Sequence, residues 1–482
     1  MFLPAVIWIY FIFDRHYKIG SYWLLLASII FYVWNDLRAL PVLIASVIIN
    51  YLFGILLSGS FKRSKFILTL GLIFNIGLLG FYKYAKFFAE NVNYLTGCEI
   101  PVINIIMPAG ISFFTITQIV YLVDCYQGVT NEKNIFDYAL FVTFFPHLLS
   151  GPIYQHKNIS KQFKNAEAHK INWENISKGI TLFIIGLAKK VFIADSFTTY
   201  VARGFNNPAG LTLINGWLCA VCFTIQLYFD FSGYSDMAVG MSRVMNINIP
   251  VNFNSPYKAY GIIEFWSRWH ISLTNTITNY IYTPIVMSFK KITFAKAMMA
   301  TFLAMLIAGI WHGAGWTFII FGALHGIGLV FNQVWKKYKL FMPRPLGYLL
   351  TGLLILCANV FFRASSVSNA LEIFRAMIGL NGVKLSGIAS HLDILGLSTL
   401  LDIYLGTSGI ILSRNAELIF KAVKFLLKAP FLAVLIIYFC PNSNQIVDKL
   451  KCSWRSVIMI SVLLYLSLYF FNGVADFLYF QF

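Results

Sequence analysis

Residues 264–326 read EFWSRWHISLTNTITNYIYTPIVMSFKKITFAKAMMATFLAMLIAGIWHGAGWTFIIFGALHG. Arg268, His270, His312 and His325 lie in or beside runs greasy enough to enter lipid. There an ionisable group is costly unless it faces protein or a water-filled cavity. The stretch therefore asks for a membrane fold with a polar interior, and its histidines ask for a function.

The rest of the chain agrees. Hydrophobic residues make up 59% of 482 and charged ones 12%, against about 45–50% and about 25% in soluble domains. Apolar runs recur from end to end with short basic breaks, which makes the chain an all-α polytopic membrane protein. Lys and Arg number 37 against 19 Asp and Glu. They flank the apolar runs, as the charge bias of short cytoplasmic loops requires, and no basic groove or base-stacking module points to nucleic acid. The seven cysteines are scattered. The Cys219/Cys222 pair reads as buried small side chains, and no histidine spacing suits a metal.

Along the chain, MFLPAVIWIYFIF is shorter than the roughly 20 residues of a span and reads as a retained, tilted segment. In INIIMPAGISFFTITQIVYLVDCY, Pro108 and Gly110 predict an interrupted or kinked helix. Asp124 near its end reads as a loop cap or an arginine's counter-ion. His147 is expected to bond at an interface, while His156 and His169 sit in polar sequence. Residues 157–178 read as an amphipathic surface segment resting on headgroups, and residues 369–391 as the other long stretch outside the membrane. Asp230 and Asp236 are six apart around Gly233, too far round a helix to act on one bond, and ion pairing with Arg243 or Arg268 is the expectation.

Within 264–326, Glu264 and Arg268 stand at i,i+4, and Trp266 and Trp269 form an aromatic ledge if the segment is helical. Trp311 and Trp316 bracket His312 as walls, with Gly313 and Gly315 allowing close backbone approach. His325 lies thirteen residues beyond His312. In one continuous helix that is about 20 Å, which separates the two and leaves His325 a structural donor or path residue. An intramembrane imidazole can take a proton from a hydroxyl that attacks an ester or thioester. It can equally relay protons in a lipid or sugar transporter, so both classes stand at this point.

Several strings in order carry a resemblance: MPAGISFFTITQIVYLVDCYQG at 107–128, FFPHLLSGPI at 144–153, LYFDFSGYSDMAVG at 227–240, FWSRWHISL at 265–273, IWHGAGW at 310–316, FFRA at 361–364, CPNSNQI at 440–446 and FLYFQF at 477–482. On these the chain resembles the membrane-bound O-acyltransferase family, especially the bacterial branch that O-acetylates alginate and related exported polysaccharides. It is more distantly similar to the D-alanyl transfer proteins of teichoic-acid modification.

The resemblance implies a single integral-membrane domain over 1–482, with 264–326 as the catalytic-histidine region. It implies a ring of about eleven spanning helices with re-entrant and interfacial ones around a central funnel, in the bacterial cytoplasmic (inner) membrane. His312 takes the place of the catalytic histidine and His270 of the second, with Trp266, Arg268, Trp269, Trp311, Trp316 and His325 as tunnel candidates. Asp124, Asp230 and Asp236 are the structural polar candidates. No metal and no tightly bound cofactor are expected. The donor is acetyl-CoA or an acetylated intermediary, the acceptor an alginate-like polymer or peptidoglycan, and the partner a periplasmic or membrane-anchored acetyltransferase. Membrane lipids complete the expected surroundings. One departure is visible: many alginate-type relatives carry Arg-Asp-Tyr and then paired glycines where this chain has Thr278-Asn279-Tyr280 and Ile285-Val286-Met287, so no role of that charged pair carries over.

Overall fold

The computed structural model describes residues 2–13, 17–59, 62, 64–102, 105–383, 430–451, 453–471 and 477–478. All regular structure among them is helical. In lipid only an element that satisfies its own backbone groups can cross, which is why this composition gives helices. Among the described residues six helical stretches are long and apolar enough to do so: Lys18–Ser58, Lys65–Thr96, Leu213–Val244, Phe294–His312, Trp316–Lys337 and Arg344–Arg363. Phe2–Ile12 is a shorter apolar helix packed on the next one. The Leu40–Ser58 and Lys65–Leu79 helices are joined inside the apolar zone by a reciprocal amide pair, Asn50 to Asn75 at 3.2 Å and Asn75 to Asn50 at 2.6 Å.

The Leu213–Val244 helix is the central post, and 61% of its spanning window is buried. Trp173–Ala188 packs along it through glycines: a side chain on Gly186 would meet the Gly233 carbonyl at 2.5 Å. Cys219 and Cys222 are free and buried on this post, small side chains in a packed core as expected.

Several local expectations are corrected. Pro108 and Gly110 do not kink a helix. Gly110, at φ 72°, precedes the Ile111–Gln127 helix, so the irregular backbone lies ahead of the helix instead of inside it. Residues 157–178 are not one surface segment. His156–Phe163 buries His156, Ile159 and Phe163 in the core, and Trp173 opens the helix against the central post. His156 and His169 are both buried. His147 is buried too: its Nδ1–H donates to the Pro152 carbonyl at 2.8 Å, and Nε2 accepts from the Thr117 hydroxyl at 3.1 Å. In the stretch 369–391, Val367–Met377 is a helix with Ala370, Ile373 and Met377 buried, while residues 384–391 lie outside the described residues.

The loop before Ile135–Thr143 is tied down by Glu132, which pairs with Lys164 at 2.7 Å and faces His156 at 3.4 Å. Burial pushes the Glu132 carboxyl up, but hydrogen bonds from His156, Lys164 and the Asn134 amide outweigh it and hold it down to about 2.

Candidate active site

The Phe294–His312 helix starts on a Thr293 cap and ends on His312, after which Gly313 and Gly315 are fully extended. The chain turns back there, and Trp316–Lys337 runs antiparallel to the first helix at close range. Gly322 opposes Gly309, and a side chain on Gly309 would meet the Phe318 carbonyl at 2.5 Å. The reversal carries His325 back beside His312. Phe321 lies between them, its ring centroid 5.7 Å from His312 and 4.6 Å from His325. The separation expected of one continuous helix is therefore overturned: the two histidines share a cavity.

His270 reaches the same cavity from another direction. The stretch 264–270 is not a continuous helix. Ile262–Trp266 is a single turn, and His270 takes a left-handed conformation at φ 43° as cap of Ile271–Ile277. A non-glycine residue there costs about 1–2 kcal/mol, and such strain clusters at working sites. Its Nδ1 accepts the Leu273 amide at 3.3 Å, and its ring packs 4.7 Å from Phe231. The Trp266 indole donates to Nδ1 of His325 at 3.3 Å. With Nδ1 accepting in both, neutral His270 and His325 carry their proton on Nε2.

The enclosed space is narrow, about 20 Å³, and is lined by Phe231, Trp266, Trp269, His270, His312, Phe321, His325, Asn359 and Phe362 among others. That is room for about one water. Arg268 is not among the lining residues: it pairs with Glu264 at 2.8 Å and donates to the Asn254 carbonyl at 3.3 Å. Trp311 packs against His312 at 5.1 Å and Phe113 at 5.5 Å without lining the space. Trp316 is no wall. It is 56% exposed and donates to Asn91 at 2.8 Å, and Phe321 and Phe362 flank His312 instead.

The helix that His270 caps also borders a second, larger chamber of about 430 Å³ that the sequence did not announce. Ser272, Asn275, Thr276, Asn279 and Tyr280 form one side of it, and Gln155, Asn158, Gln162 and Asn248 the other. Among the described residues no charged side chain or histidine lines it. Behind it Tyr280 donates to buried Asp124 at 2.7 Å and accepts from Gln155 at 2.8 Å. Asp124 is thus the acceptor for a chamber tyrosine, neither a loop cap nor an arginine's counter-ion. Asn279, one of the positions where the sequence departs from the expected charged pair, stands on the chamber wall.

Asp230 and Asp236 pair with neither Arg243 nor Arg268. Asp230 meets Lys190 at 2.5 Å and accepts the Leu478 amide at 3.0 Å, while Asp236 meets Lys189 at 2.7 Å. Arg243 faces Asp448 at 4.0 Å. The two lysines come from a π-helical segment, Lys189–Ala194, laid against the central post. Asp230 and Asp236 are thus held by different lysines and do not converge on one bond. Among the described residues no three His, Cys, Asp or Glu gather as a metal site.

A polytopic helical protein that brings three buried imidazoles to one enclosed space, beside a neutral polar chamber, has the equipment for acid–base chemistry within the membrane. Residues 110–366 match the membrane-bound O-acyltransferase family, and the chain belongs to it. It is 36% identical over 523 aligned positions, covering 100% of this chain and 95% of the relative, to the peptidoglycan O-acetyltransferase of Helicobacter pylori (strain ATCC 700392 / 26695). It is 36% identical over 416 positions, 84% of this chain and 81% of the relative, to a protein of Azotobacter vinelandii described as probable alginate O-acetylase AlgI. The teichoic acid D-alanyltransferase of Bacillus subtilis (strain 168) is 30% identical over 246 positions, 49% of this chain and 62% of that protein. The protein is accordingly a membrane-bound O-acyltransferase, and its O-acetyltransferase relatives mark the acetyl-transferring branch.

Proposed function

We propose that the chain, as one domain over 1–482, moves an acetyl group from a cytoplasmic thioester donor to hydroxyls of an exported cell-surface polysaccharide, peptidoglycan or an alginate-like polymer. The observation that carries this reading is the meeting of His312, His270 and His325 on one enclosed cavity, in a chain similar along its whole length to a peptidoglycan O-acetyltransferase. His312 acts as the base: it takes the proton of the attacking hydroxyl as the oxygen bonds to the acyl carbon. It then returns that proton to the leaving thiolate sulfur. The Nε2–H groups of His270 and His325 are donors suited to the oxygen on which charge develops.

Acetyl-CoA or an acetylated intermediary is the donor, and its amide- and hydroxyl-bearing arm suits the neutral lining of the larger chamber. The exposed Lys157, Lys161, Lys164 and Lys170 surround the chamber-side segments, a charge bias that supports a cytoplasmic face for that end of a bacterial inner-membrane protein. A periplasmic or membrane-anchored acetyltransferase receives or completes the transfer on the other face.

The test is reconstitution in vesicles with labelled acetyl donor, partner and isolated polymer. Label appearing on polymer hydroxyls supports the reading. Preferential transfer of D-alanine points to the other envelope modification, and accumulation of substrate without donor consumption points to a transporter.

A further inference from the structure

The last turn of the His312 helix poses a problem that the rest of the molecule solves. The final carbonyls of any helix lack intrahelical partners, and this helix is long and apolar enough to cross a membrane. Its following residue, Gly313, is extended, so the chain does not curl back with its own amides. Donors come instead from two consecutive side chains more than two hundred residues earlier. The Lys83 ammonium donates to the carbonyls of Trp311 at 2.9 Å and His312 at 2.8 Å, and the Tyr84 hydroxyl donates to that of Ile310 at 2.6 Å. Three successive carbonyls, the last belonging to His312, are thereby held.

Lys83 is not explained as an ion pair. Its remaining bond, at 3.3 Å, goes to the Ser112 hydroxyl, and no carboxylate among the described residues pairs with it. A lysine in a spanning helix is costly, and what offsets the cost here is the negative end of a helix dipole. Both residues sit in a π-helical segment, Gly80–Tyr84, inside an otherwise regular apolar run. One inserted residue turns the following side chains by about 100° relative to an uninterrupted helix, and such insertions recur at functional sites.

We propose that Lys83 and Tyr84 are positioning residues for the acyl transfer: they lock the end of the Phe294–His312 helix and so set where the His312 imidazole stands in the cavity. The proposal rests on the reading of His312 as the base. It concerns the turnover step and not donor recognition, because neither side chain lines the cavity or the chamber.

The experiment compares Lys83→Met, Lys83→Arg, Tyr84→Phe and His312→Ala in the full chain, reconstituted with its partner. Thermal unfolding in detergent, kcat and the donor KM are measured for each, with acetyl-CoA as donor. Misplacing a reacting group by about 1 Å costs about 100-fold. Lys83→Met is expected to lower kcat by about 10- to 100-fold with donor KM within about twofold, and Tyr84→Phe by a few fold. Lys83→Arg, which keeps charge and donors, is expected to recover most of the loss. A folded Lys83→Met with wild-type kcat overturns the proposal, as does a loss confined to KM or one matched entirely by a fall in folded protein. If Lys83→Met fails to fold, Tyr84→Phe decides: an unchanged kcat rejects the clamp. Full activity in His312→Ala would instead refute the reading of His312 on which the clamp rests.

Discussion

The indole N–H of Trp266 donates to Nδ1 of His325 at 3.3 Å, across 59 residues of chain. This bond fixes which nitrogen of His325 carries the proton, and it joins the 264–270 stretch to the helix that returns from His312. Trp266→Phe keeps an aromatic ring but removes the donor. A single hydrogen bond of this kind is worth about 1 kcal/mol, so turnover should fall about 3- to 10-fold at near-constant donor KM. Unchanged turnover in steady-state assays would show that the bond does not orient His325.

The close approach of the two helices that bring His312 and His325 together depends on glycine. A side chain at Gly309 would meet the Phe318 carbonyl at 2.5 Å and the Gly322 backbone at 2.7 Å, whereas one at Gly352 would meet nothing within 4 Å. Gly309→Ala should cost about 1–3 kcal/mol and lower kcat, because His312 is three residues on. Gly352→Ala should gain a few tenths to about 1 kcal/mol with activity unchanged. Thermal unfolding and turnover of the pair check this.

Lys190 sits between two carboxylates, Asp230 at 2.5 Å and Asp195 at 2.9 Å. Lys190→Met leaves both without their cation. Removing one partner of a buried ion pair typically costs about 3–5 kcal/mol, so the variant should lose most of its folded yield. Adding Asp230→Asn should restore part of it. Thermal unfolding of the single and double variants is the check, and additive losses would contradict the pairing.

Glu132 gives the fold an acid limit. Its carboxyl is held down to about 2 in the folded chain, against about 4.3 in an unfolded one. A depressed carboxylate contributes stability that is fully present above the unfolded value and is lost as pH falls through the folded one. The wild type should therefore lose stability between about pH 4.5 and pH 2. In Glu132→Gln that contribution is absent throughout, which flattens the acid limb of a plot of unfolding temperature against pH.

The membrane fold was legible from apolar runs and their basic breaks, because lipid leaves helices as the only economical choice. The histidines were legible as costly groups in greasy sequence. Their convergence was not. It depends on the extended Gly313 and Gly315 sending the chain back, and on His270 adopting a left-handed backbone where a continuous helix was expected. Lys189 and Lys190, the partners of Asp236 and Asp230, were not legible because Arg243 and Arg268 stand nearer to those carboxylates in sequence. Lys83 was legible in principle, as one of two cations, with Lys86, in the run GLLGFYKYAKF. What hid its use was the π-helical insertion, a feature that leaves no periodicity to read. Thr278–Tyr282 is likewise π-helical and presents Asn279 and Tyr280 to the larger chamber.

The central claim is that His312 carries the proton in acyl transfer, and the direct measurement is the rate of labelled acetyl transfer to polymer by His312→Ala and His312→Gln. Both variants must be verified as inserted and assembled with the partner, and turnover measured where chemistry limits the rate. A positioned acid–base group contributes about 10²- to 10⁴-fold. Glutamine keeps polarity but cannot shuttle a proton near neutral pH. The account predicts that both variants lose at least about 100-fold in kcat, and wild-type turnover in either one would contradict it.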